Sequence, residues 1–407
     1  MLLDPITLPG GIALKNRIVK AAMEESLALT DRTPSPELIH LYQRWAAGGT
    51  GLLLTGNVMV DGNHLTGAGN LVLDKHQKLD AFRAWAQAAH QGGAKIWMQI
   101  NHPGRQTMAK LNDHSLAPSA VNLDMGQFSK LFAPARAMSE AEIQDLISRF
   151  ADTAEQAERA GFDGVQIHAA HGYLISQFLS PLVNQRSDQW GGSLENRARL
   201  LLAVVDAIRS RVKPSFAVGI KLNSADFQRG GFAPEDAQAV LKLLENKAVT
   251  LVELSGGSYE APAMQGESRD DRTLAREAYF LEFAEQLAAN TSLAVMTTGG
   301  IRRKAVAEAV LSKGVDMVGM ATALAVEPNL PSLWQKNIET DAALKPLTWK
   351  NKTMSAMALM AQIRWLMKRL ANPKVKQAKP LPYFLVMVVD QLSDARHVRA
   401  VKRWRNA

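Results

Sequence analysis

The sequence of 407 residues contains no cysteine. This absence excludes disulfide bonds, cysteine-ligated zinc, iron–sulfur clusters and thiol nucleophiles, although it does not fix the cellular compartment. No segment is low in complexity. The first ten residues contain Asp4 and two prolines where a signal peptide has a basic and then an apolar stretch. We therefore expect a cytoplasmic protein.

Charged residues are also few, at 21% of the chain against 47% hydrophobic residues. This ratio excludes disorder and provides enough apolar side chains for a large core. The length fits one large α/β barrel or two modest domains.

Negative charge is scarce in one region. Residues 345–407 contain 14 Lys and Arg but only two acidic residues, Asp390 and Asp394, which gives a net charge of +12. Residues 1–344 have a net charge of −4, so the overall charge of +8 belongs to a C-terminal extension. No nucleic-acid-binding motif accompanies this charge, and we expect no nucleic-acid partner.

Short apolar runs alternate with longer stretches of helical periodicity, which is typical of repeated β–α units. Their continuous apolar character favours strands covered on both faces, as in a closed (β/α)8 barrel (TIM barrel); a doubly wound open sheet is the alternative. Ser139 and Glu142 form a capping-box pattern that predicts a helix ending near Ala160. The eight predicted strands are centred on 17–21, 51–55, 95–100, 164–168, 217–222, 250–254, 293–298 and 316–320.

Polar residues mark the ends of several predicted strands. In a barrel of this kind the loops after the strands form the catalytic face. The long segment 101–138, after the third strand, has the size of an active-site cover. The polar residues expected to converge on this face are Glu24, Gln99, His102, His168, His171 and Lys221.

His168 and His171 are three residues apart and have two interpretations. Histidines at this spacing can form half of a metal site, but no cysteine is available as a further ligand, and we predict no metal. Alternatively, the two imidazoles donate together to a carbonyl oxygen and stabilise the charge that develops on it. Tyr173, two residues further on, has a phenol that can act as an acid.

A long and specific motif surrounds these residues, from His168 to Arg197. With three further segments, it resembles the Old Yellow Enzyme family of flavin-dependent ene-reductases and NADH:flavin oxidoreductases. The resemblance covers about residues 1–335. The three further segments are 14–19, 99–105 and 298–302.

The resemblance implies a barrel that binds FMN across its C-terminal mouth and is reduced by NADH or NADPH. It places Gln99 on the pyrimidine edge of the flavin and Lys221 beside N1 and O2, where a cation stabilises reduced flavin. It places Gly299 and Gly300 where backbone amides approach the phosphate. The implied cofactor-binding residues are Ala22, Met23, Glu24, Gly56, Gln99, Lys221, Gly299, Gly300, Gly319, Met320 and Thr322.

The same resemblance implies the chemistry. Hydride passes from flavin N5 to the β-carbon of an α,β-unsaturated carbonyl compound while Tyr173 protonates the α-carbon. His168 and His171 hold the carbonyl oxygen. The expected partner is therefore a small molecule of the enone type.

The sequence departs from the family pattern at two sites. Glu24 stands where the family commonly has Thr or Cys, and an ionised carboxylate cannot donate a hydrogen bond to the flavin. Thr322 and Ala323 stand where relatives have Arg-Pro, so a charge-assisted contact to the phosphate is missing unless Arg302 or Arg303 supplies it. These differences support a second hypothesis, a catalytically weak flavin-binding or interaction protein on the same barrel.

The basic extension, 345–407, predicts helical structure. The segment 353–370 has apolar residues at helical spacing with basic residues between them, 374–382 is a proline-bearing link, and 383–389 is apolar but too short to span a bilayer. We expect a helical hairpin packed on the barrel or on a second subunit of a homo-oligomer; peripheral contact with a membrane is the alternative. The expected domains are a barrel, 1–344, and this extension.

Overall fold

The computed structural model describes residues 1–262, 278, 280–340, 342–345, 347 and 349–406. Eight parallel strands form a closed barrel, in which each strand pairs with its neighbours along the chain and the last pairs with the first. The barrel predicted from the apolar runs is therefore confirmed. Its strands are β1 (Ile18–Lys20), β2 (Leu52–Leu54), β3 (Lys95–Asn101), β4 (Gly164–Ala169), β5 (Ala217–Asn223), β6 (Leu251–Ser255), β7 (Val295–Thr298) and β8 (Met317–Met320).

Helices alternate with the strands and surround the barrel. The helix Glu140–Arg159 shows how local sequence sets these elements, because Ser139 Oγ accepts the N–H of Glu142 at 3.3 Å and the Glu142 carboxylate accepts the N–H of Ser139 at 2.9 Å. This is the predicted capping box, and the helix ends beside Ala160 as expected. The helices are α1 (Pro36–Ala47), α2 (Asp80–Gln91), α3 (Glu140–Arg159), α4 (Leu174–Leu179), α5 (Leu194–Arg209), α6 (Pro234–Leu244), α7 (Leu281–Ala288), α8 (Lys304–Ser312), α9 (Thr322–Val326), α10 (Leu330–Gln335), α11 (Lys352–Leu370) and α12 (Tyr383–Arg405).

The interior of the barrel changes from apolar to polar along its axis. Side chains alternate along a strand, so Trp97 and Gln99 of β3 both point inward. Trp97 belongs to an apolar cluster inside the barrel. Gln99 lies opposite Gln166 of β4, and Lys221 of β5 lies opposite Glu253 of β6. A polar layer thus occupies the interior toward the C-terminal ends of the strands.

Shorter strands and turns extend the barrel. The segment 101–138, predicted as a cover, contains a pair of parallel strands and two short 3-10 helices. A hairpin near the N-terminus packs on the apolar cluster inside the barrel. These elements are Ile6–Leu8 and Ile12–Leu14 (the hairpin), Val58–Met59 and Leu71–Val72 (after β2), and Ser115–Ala117, Ala135–Ala137, Gly104–Gln106 and Gly126–Leu131 (in the segment 101–138).

The C-terminal extension forms two helices that pack together and on the barrel. Arg364 of α11 donates to both carboxylate oxygens of Asp390 of α12, at 2.8 and 2.6 Å. Arg44 of α1 donates to the carbonyl oxygen of Leu370 at 3.1 Å, which joins α11 to the barrel. Near its C-terminal end, α12 contributes Val401 to an apolar cluster with Met59, Leu65, Ala68, Val72 and Leu111.

Residues 346, 348 and 407 of the expected extension lie outside the described residues. The helix predicted over 353–370 is present as α11, and the apolar stretch 383–389 is the start of the longer helix α12. Among the described residues, no helix is both long and apolar enough to cross a membrane.

Candidate active site

A buried hydrogen-bonded group forms the floor of the barrel mouth. Lys221 Nζ donates to Glu253 Oε1 at 2.9 Å, and Gln166 Nε2 donates to Glu253 Oε2 at 2.8 Å. Gln99 Nε2 donates to Gln166 Oε1 at 2.8 Å, and Thr298 Oγ1 donates to Glu253 Oε1 at 2.6 Å. We call these five residues the floor cluster.

The floor cluster contains an ion pair almost without solvent contact. The side chain of Glu253 is 0% exposed and that of Lys221 is 5% exposed. Burial of two charges is costly unless each is paired and hydrogen-bonded, and here the carboxylate accepts from three side chains. Lys221 is therefore paired with a carboxylate, Glu253, that the sequence-based interpretation did not include.

The two predicted histidines meet at the end of β4. Their ring centroids are 5.0 Å apart. His168 Nδ1 accepts the N–H of Ala170 at 3.3 Å, so Nε2 of the neutral ring carries the proton. His171 Nε2 lies 2.7 Å from Ser255 Oγ, and its backbone N–H donates to Asn223 Oδ1 at 3.0 Å.

The charge state of both histidines follows from their surroundings. Burial, followed by the charge of Lys221, lowers the pKa of His168 and that of His171 well below the ordinary value of 6.5. Both rings are therefore neutral at neutral pH. A neutral imidazole can donate one hydrogen bond without giving up its proton, which suits a group that polarises a carbonyl.

Tyr173 lies against this pair. Its ring meets the ring of His168 edge to face, with centroids 4.7 Å apart and planes at 84°. Its hydroxyl lies 3.0 Å from the hydroxyl of Tyr259. Burial, together with the charges of Tyr259 and Glu24, raises the pKa of Tyr173 well above 10, so the phenol keeps its proton at neutral pH.

Glu24 lies on the same side of the mouth as Tyr173. Asn70 Nδ2 donates to Glu24 Oε1 at 2.7 Å, and Thr66 Oγ1 donates to it at 3.3 Å. Burial raises the pKa of Glu24 above its ordinary value of 4.5, although the charge of Arg364 opposes this shift. The carboxylate is thus held by neutral groups of the segment after β2. We call Glu24, Thr66, Asn70, Tyr173 and Tyr259 the rim cluster.

The predicted residues next to β1 and β2 lie at the same end of the barrel. Ala22 is half-buried and Met23 is buried directly after β1. The N–H of Gly56, after β2, donates to Tyr42 at 3.1 Å. A Cβ at this position would lie 2.1 Å from Glu25 Oε2, so only glycine fits.

The predicted residues next to β7 and β8 include two glycines in left-handed conformations. Gly299 has a φ of 144° and Gly300 a φ of 74°, which favour glycine and leave the backbone amides without a covering side chain. A Cβ at Gly319 would lie 2.2 Å from Thr298 Oγ1. Met320 is buried at the end of β8, and Thr322 begins α9.

The residues at this end of the barrel fit a flavin. An inward amide, Gln99, and an inward ammonium, Lys221, suit the polar edge of the ring system. Gly299 and Gly300 give a backbone that a phosphate can approach closely. We therefore retain the cofactor assignment that the motifs implied.

One cluster of possible metal ligands lies in the described part of the chain, at Asp61, His64 and His102. His64 Nδ1 already lies 2.7 Å from Asp61 Oδ2, and Arg149 Nη1 lies 3.7 Å from Asp61 Oδ1. His102 Nδ1 accepts the N–H of Gly104 at 3.1 Å, so its Nε2 is protonated and offers no lone pair. The buried His102 Nε2 has no hydrogen-bond partner in the described residues, and the contacts of His64 Nδ1 and His102 Nδ1 give no support to a metal here.

Residues 1–341 match the model of the NADH:flavin oxidoreductase / NADH oxidase family. The chain belongs to this family. The expected membership among the NADH:flavin oxidoreductases is confirmed, and the protein is an NAD(P)H-dependent flavin oxidoreductase with FMN as its cofactor.

Individual relatives agree with this membership. The NADH-dependent flavin oxidoreductase iliE of Hypocrea jecorina is 38% identical over 368 residues, which are 84% of this chain and 91% of the relative. The NADH oxidase of Thermoanaerobacter brockii is 35% identical over 329 residues, which are 79% of this chain but 49% of that protein. The structure of the Old Yellow Enzyme homologue from Zymomonas mobilis has the same fold, with a TM-score of 0.72, 24% identity and coverage of 84% of this chain and 95% of that one.

Three residues near the mouth were missed by the sequence-based interpretation. Glu253 had a usable signal, because it is a lone charge inside the apolar run 250–254. Tyr259 follows β6 closely, and the rule that strand ends carry the chemistry points to it as well. Arg364 lies far away in the sequence, and no local pattern relates it to Glu24.

Proposed function

We propose that the protein reduces the carbon–carbon double bond of α,β-unsaturated carbonyl compounds. In this proposal Tyr173 donates the proton to the α-carbon, and His168 and His171 hold the carbonyl oxygen. The main support is the edge-to-face contact of Tyr173 with His168, at 4.7 Å. In this proposal, the contact brings the proton donor and one of the groups that bind the carbonyl oxygen together at the end of β4.

The cofactor contacts proposed from the resemblance have support in the fold. FMN, when bound, supplies a hydride at its N5 position. Gln99 and Lys221 of the floor cluster would bind its pyrimidine edge, and the amides near Gly299 and Gly300 would bind its phosphate. Because Glu253 holds the Lys221 ammonium at 2.9 Å, that cation has a fixed position before any ligand arrives.

The histidines in this proposal act as donors and not as acids. The carbonyl oxygen of an enone gains negative charge when hydride adds to the β-carbon, and an N–H directed at that oxygen stabilises the charge. The His168 Nε2–H serves this role because Nδ1 already accepts the N–H of Ala170. Ser255 fixes the orientation of the His171 ring.

Tyr173 is proposed as the acid because its phenol stays protonated at neutral pH. Proton transfer from oxygen to the α-carbon completes the reduction and leaves a phenolate. The segment from Tyr173 into α4 fixes the position of the phenol, since the N–H of Tyr173 donates to the carbonyl oxygen of Ala170 at 3.2 Å.

Substitution of Tyr173 by Phe tests this proposal. Flavin reduction by NADH, and separately by NADPH, is measured first, and oxidation of the reduced enzyme by cyclohexenone is measured second. We expect Tyr173→Phe to slow the second step by roughly 10²–10⁴-fold and to leave the first unchanged. Oxidation by cyclohexenone at the wild-type rate would remove Tyr173 as the proton donor.

The matched control is Tyr383→Phe, which makes the same change at a tyrosine of the extension. The Tyr383 hydroxyl donates to the carbonyl oxygen of Lys345 at 2.9 Å. We expect both half-reactions of this variant to equal those of the wild type. A panel of enones compared with their saturated ketones then establishes whether the double bond is the group reduced.

We also propose the division into a barrel, 1–344, and a basic extension, 345–407. The packing of α11 and α12 on the barrel supports an extension that acts within one chain. A chain ending at residue 344 tests the boundary, since an independent barrel should still fold and bind FMN. Three further expectations stay predictions: a homo-oligomer, contact with a membrane and a cytoplasmic location. Sedimentation of the truncated chain tests the homo-oligomer, and its binding to liposomes tests the membrane contact.

A further inference from the structure

Tyr259 has no part in the reaction as proposed above, yet its hydroxyl lies 3.0 Å from the hydroxyl of Tyr173. The two rings meet edge to face, with centroids 6.0 Å apart and planes at 72°. Tyr259 follows β6 and Tyr173 follows β4, so the contact exists only in the folded barrel. Two phenols at hydrogen-bond distance can pass a proton from one oxygen to the other.

The loop that carries Tyr259 is held by several contacts. Ser258 Oγ accepts the N–H of Glu260 at 3.2 Å, and the Glu260 carboxylate pairs with Arg105 Nη2 at 2.5 Å. Phe132, from the long segment after β3, packs against the Tyr259 ring with centroids 6.0 Å apart. These contacts determine where the phenol lies, so the approach of the two hydroxyls is part of the fold.

The surroundings favour negative charge on Tyr259 over Tyr173. Burial and the charge of Glu24 raise the pKa of both phenols. For Tyr259, the hydrogen bond from Tyr173 and the charge of Arg364 oppose this rise and leave its pKa at about 12. For Tyr173, burial and the neighbouring phenol and carboxylate all act in the same direction, and its pKa lies well above 10.

We propose that Tyr259 is a positioning and proton-relay residue that returns a proton to Tyr173 as Tyr173 protonates the substrate. The O–H bond of Tyr173 breaks as the new C–H bond forms, and the O–H bond of Tyr259 then breaks as that of Tyr173 re-forms. The negative charge comes to rest on Tyr259 until solvent supplies a proton. No electrons move in the relay, because the two electrons of the reduction arrive with the hydride.

The inference rests on the proposed function, since it needs Tyr173 to be the acid. It also gives the C-terminal extension a part in the chemistry. Arg364 belongs to α11, and Asp390 of α12 holds its guanidinium through two hydrogen bonds. The extension therefore contributes a cation whose charge opposes the rise in the pKa of Tyr259.

The first test is Tyr259→Phe, which keeps the ring and removes the hydroxyl. We expect oxidation of the reduced enzyme by cyclohexenone to slow by roughly 10- to 100-fold, the change expected when a hydrogen bond to a charged group is lost. Reduction by NADH should not change. Added weak acids should restore part of the lost rate in Tyr259→Phe and leave the wild type unaffected, a rescue that a merely structural defect would not show.

The reference variant is Tyr173→Phe, and Tyr383→Phe is again the control. If Tyr173→Phe is slow while Tyr259→Phe oxidises at the wild-type rate across neutral and alkaline pH, the relay is wrong and the proposed function stands. If Tyr173→Phe itself oxidises at the wild-type rate, the proton donor is wrong and the relay fails with it. A slow Tyr259→Phe without rescue by weak acids also overturns the relay.

A second measurement needs neither flavin nor turnover. Difluorotyrosine, whose phenol is more acidic than that of tyrosine, is placed at position 259 of the flavin-free protein, and its ionisation is followed by ultraviolet absorbance. We expect Tyr173→Phe to raise the pH of this ionisation, because the phenolate loses a hydrogen-bond donor. An unchanged ionisation would show that the two hydroxyls do not interact, and it would overturn the relay even if Tyr259→Phe fails to bind flavin.

Discussion

The floor cluster and the rim cluster face the same mouth, but they hold their carboxylates in different ways. In the floor cluster, the Glu253 carboxylate accepts from an ammonium, an amide and a hydroxyl. In the rim cluster, the Glu24 carboxylate accepts only from the neutral groups of Asn70 and Thr66 among the contacts described. The floor carboxylate therefore has a cationic partner, whereas the rim carboxylate has neutral hydrogen-bond donors.

In the proposed reaction, this difference suits two tasks. A flavin that is reduced and oxidised gains and loses charge near its pyrimidine edge, and a paired cation gives a constant field there. Proton donation needs groups whose protonation changes within a turnover, and a neutral phenol beside a weakly supported carboxylate suits that need. We therefore expect substitutions in the floor cluster and in the rim cluster to change stability and flavin potential by different amounts.

The largest effect is expected for Glu253→Gln. Removal of the carboxylate leaves the Lys221 ammonium buried without a counter-charge, and we expect the free energy of unfolding to fall by about 3–5 kcal/mol. Urea denaturation measures this change. The control is Glu285→Gln on the surface, which breaks an exposed pair with Lys313 and should cost less than about 1 kcal/mol.

The double variant Lys221→Met with Glu253→Gln sharpens this test. Because it removes both charges, we expect it to regain most of the stability lost by Glu253→Gln alone. If the single and double variants lose the same free energy of unfolding, the charge pair of the floor cluster does not account for the difference between the two clusters.

The next effect is a loss of stability in acid that arises from the histidines between the two clusters. The pKa values of His168 and His171 are lowered in the folded protein, so the unfolded chain binds protons that the folded chain does not. The stability that the two neutral rings contribute should be fully present above the unfolded pKa of about 6.5. Below pH ~6.5, the free energy of unfolding should fall by up to about 1.4 kcal/mol per pH unit for each ring. Urea denaturation at several pH values should show a smaller loss for His171→Asn, and an equal loss would contradict this assignment.

A smaller effect is expected at the flavin itself from Glu24→Thr. In the proposed site, removal of the Glu24 carboxylate should raise the flavin midpoint potential by about 30 mV, which corresponds to ~1.4 kcal/mol for a two-electron couple. Spectroelectrochemical titration measures the potential. We expect a larger rise for Glu253→Gln, because that change exposes the full charge of Lys221. An unchanged potential in Glu24→Thr would place Glu24 outside the flavin environment.

The smallest effect is the pH dependence of stability at Glu24. Its pKa is raised in the folded protein, so the stability that it contributes is present below the unfolded pKa and lost as the pH rises through the folded pKa. Relative to Glu24→Gln, the wild type should therefore lose stability from acid to neutral pH. This is opposite in sign to the histidine effect. If the difference in free energy of unfolding between the wild type and Glu24→Gln stays constant with pH, burial does not disfavour the charge of Glu24.

Much of the fold was predictable because it depends on local pattern. All eight barrel strands correspond to apolar runs, and the helix after Ser139 begins at its capping box. The rule that strand ends carry chemistry pointed to His168, His171 and Lys221, whose catalytic and binding roles stay predictions. The strand and helix predictions succeed because burial of a strand on both faces and hydrogen bonding at a helix end both restrict which residues occur there.

The partners of these residues were harder to predict. Lys221 and Glu253 are 32 residues apart, and Tyr173 and Tyr259 are 86 residues apart. Which inward side chains become neighbours depends on barrel closure and register, and the sequence pattern gives the inward direction without the pairing. The environment of Glu24 was unpredictable for the same reason, since Asn70 belongs to a connecting segment whose path is set by its packing.

The sequence alone determines the absence of cysteine and the separation of charge between the barrel and the extension. It also determines the eight β–α units and the family motif, because each depends on residue type and short-range spacing. Only the tertiary structure decided that Glu253 balances Lys221, that the Tyr173 and Tyr259 hydroxyls meet, and that α11 brings Arg364 into the electrostatic environment of Glu24. These contacts join distant parts of the chain, and they follow from how the closed barrel and its connecting segments pack.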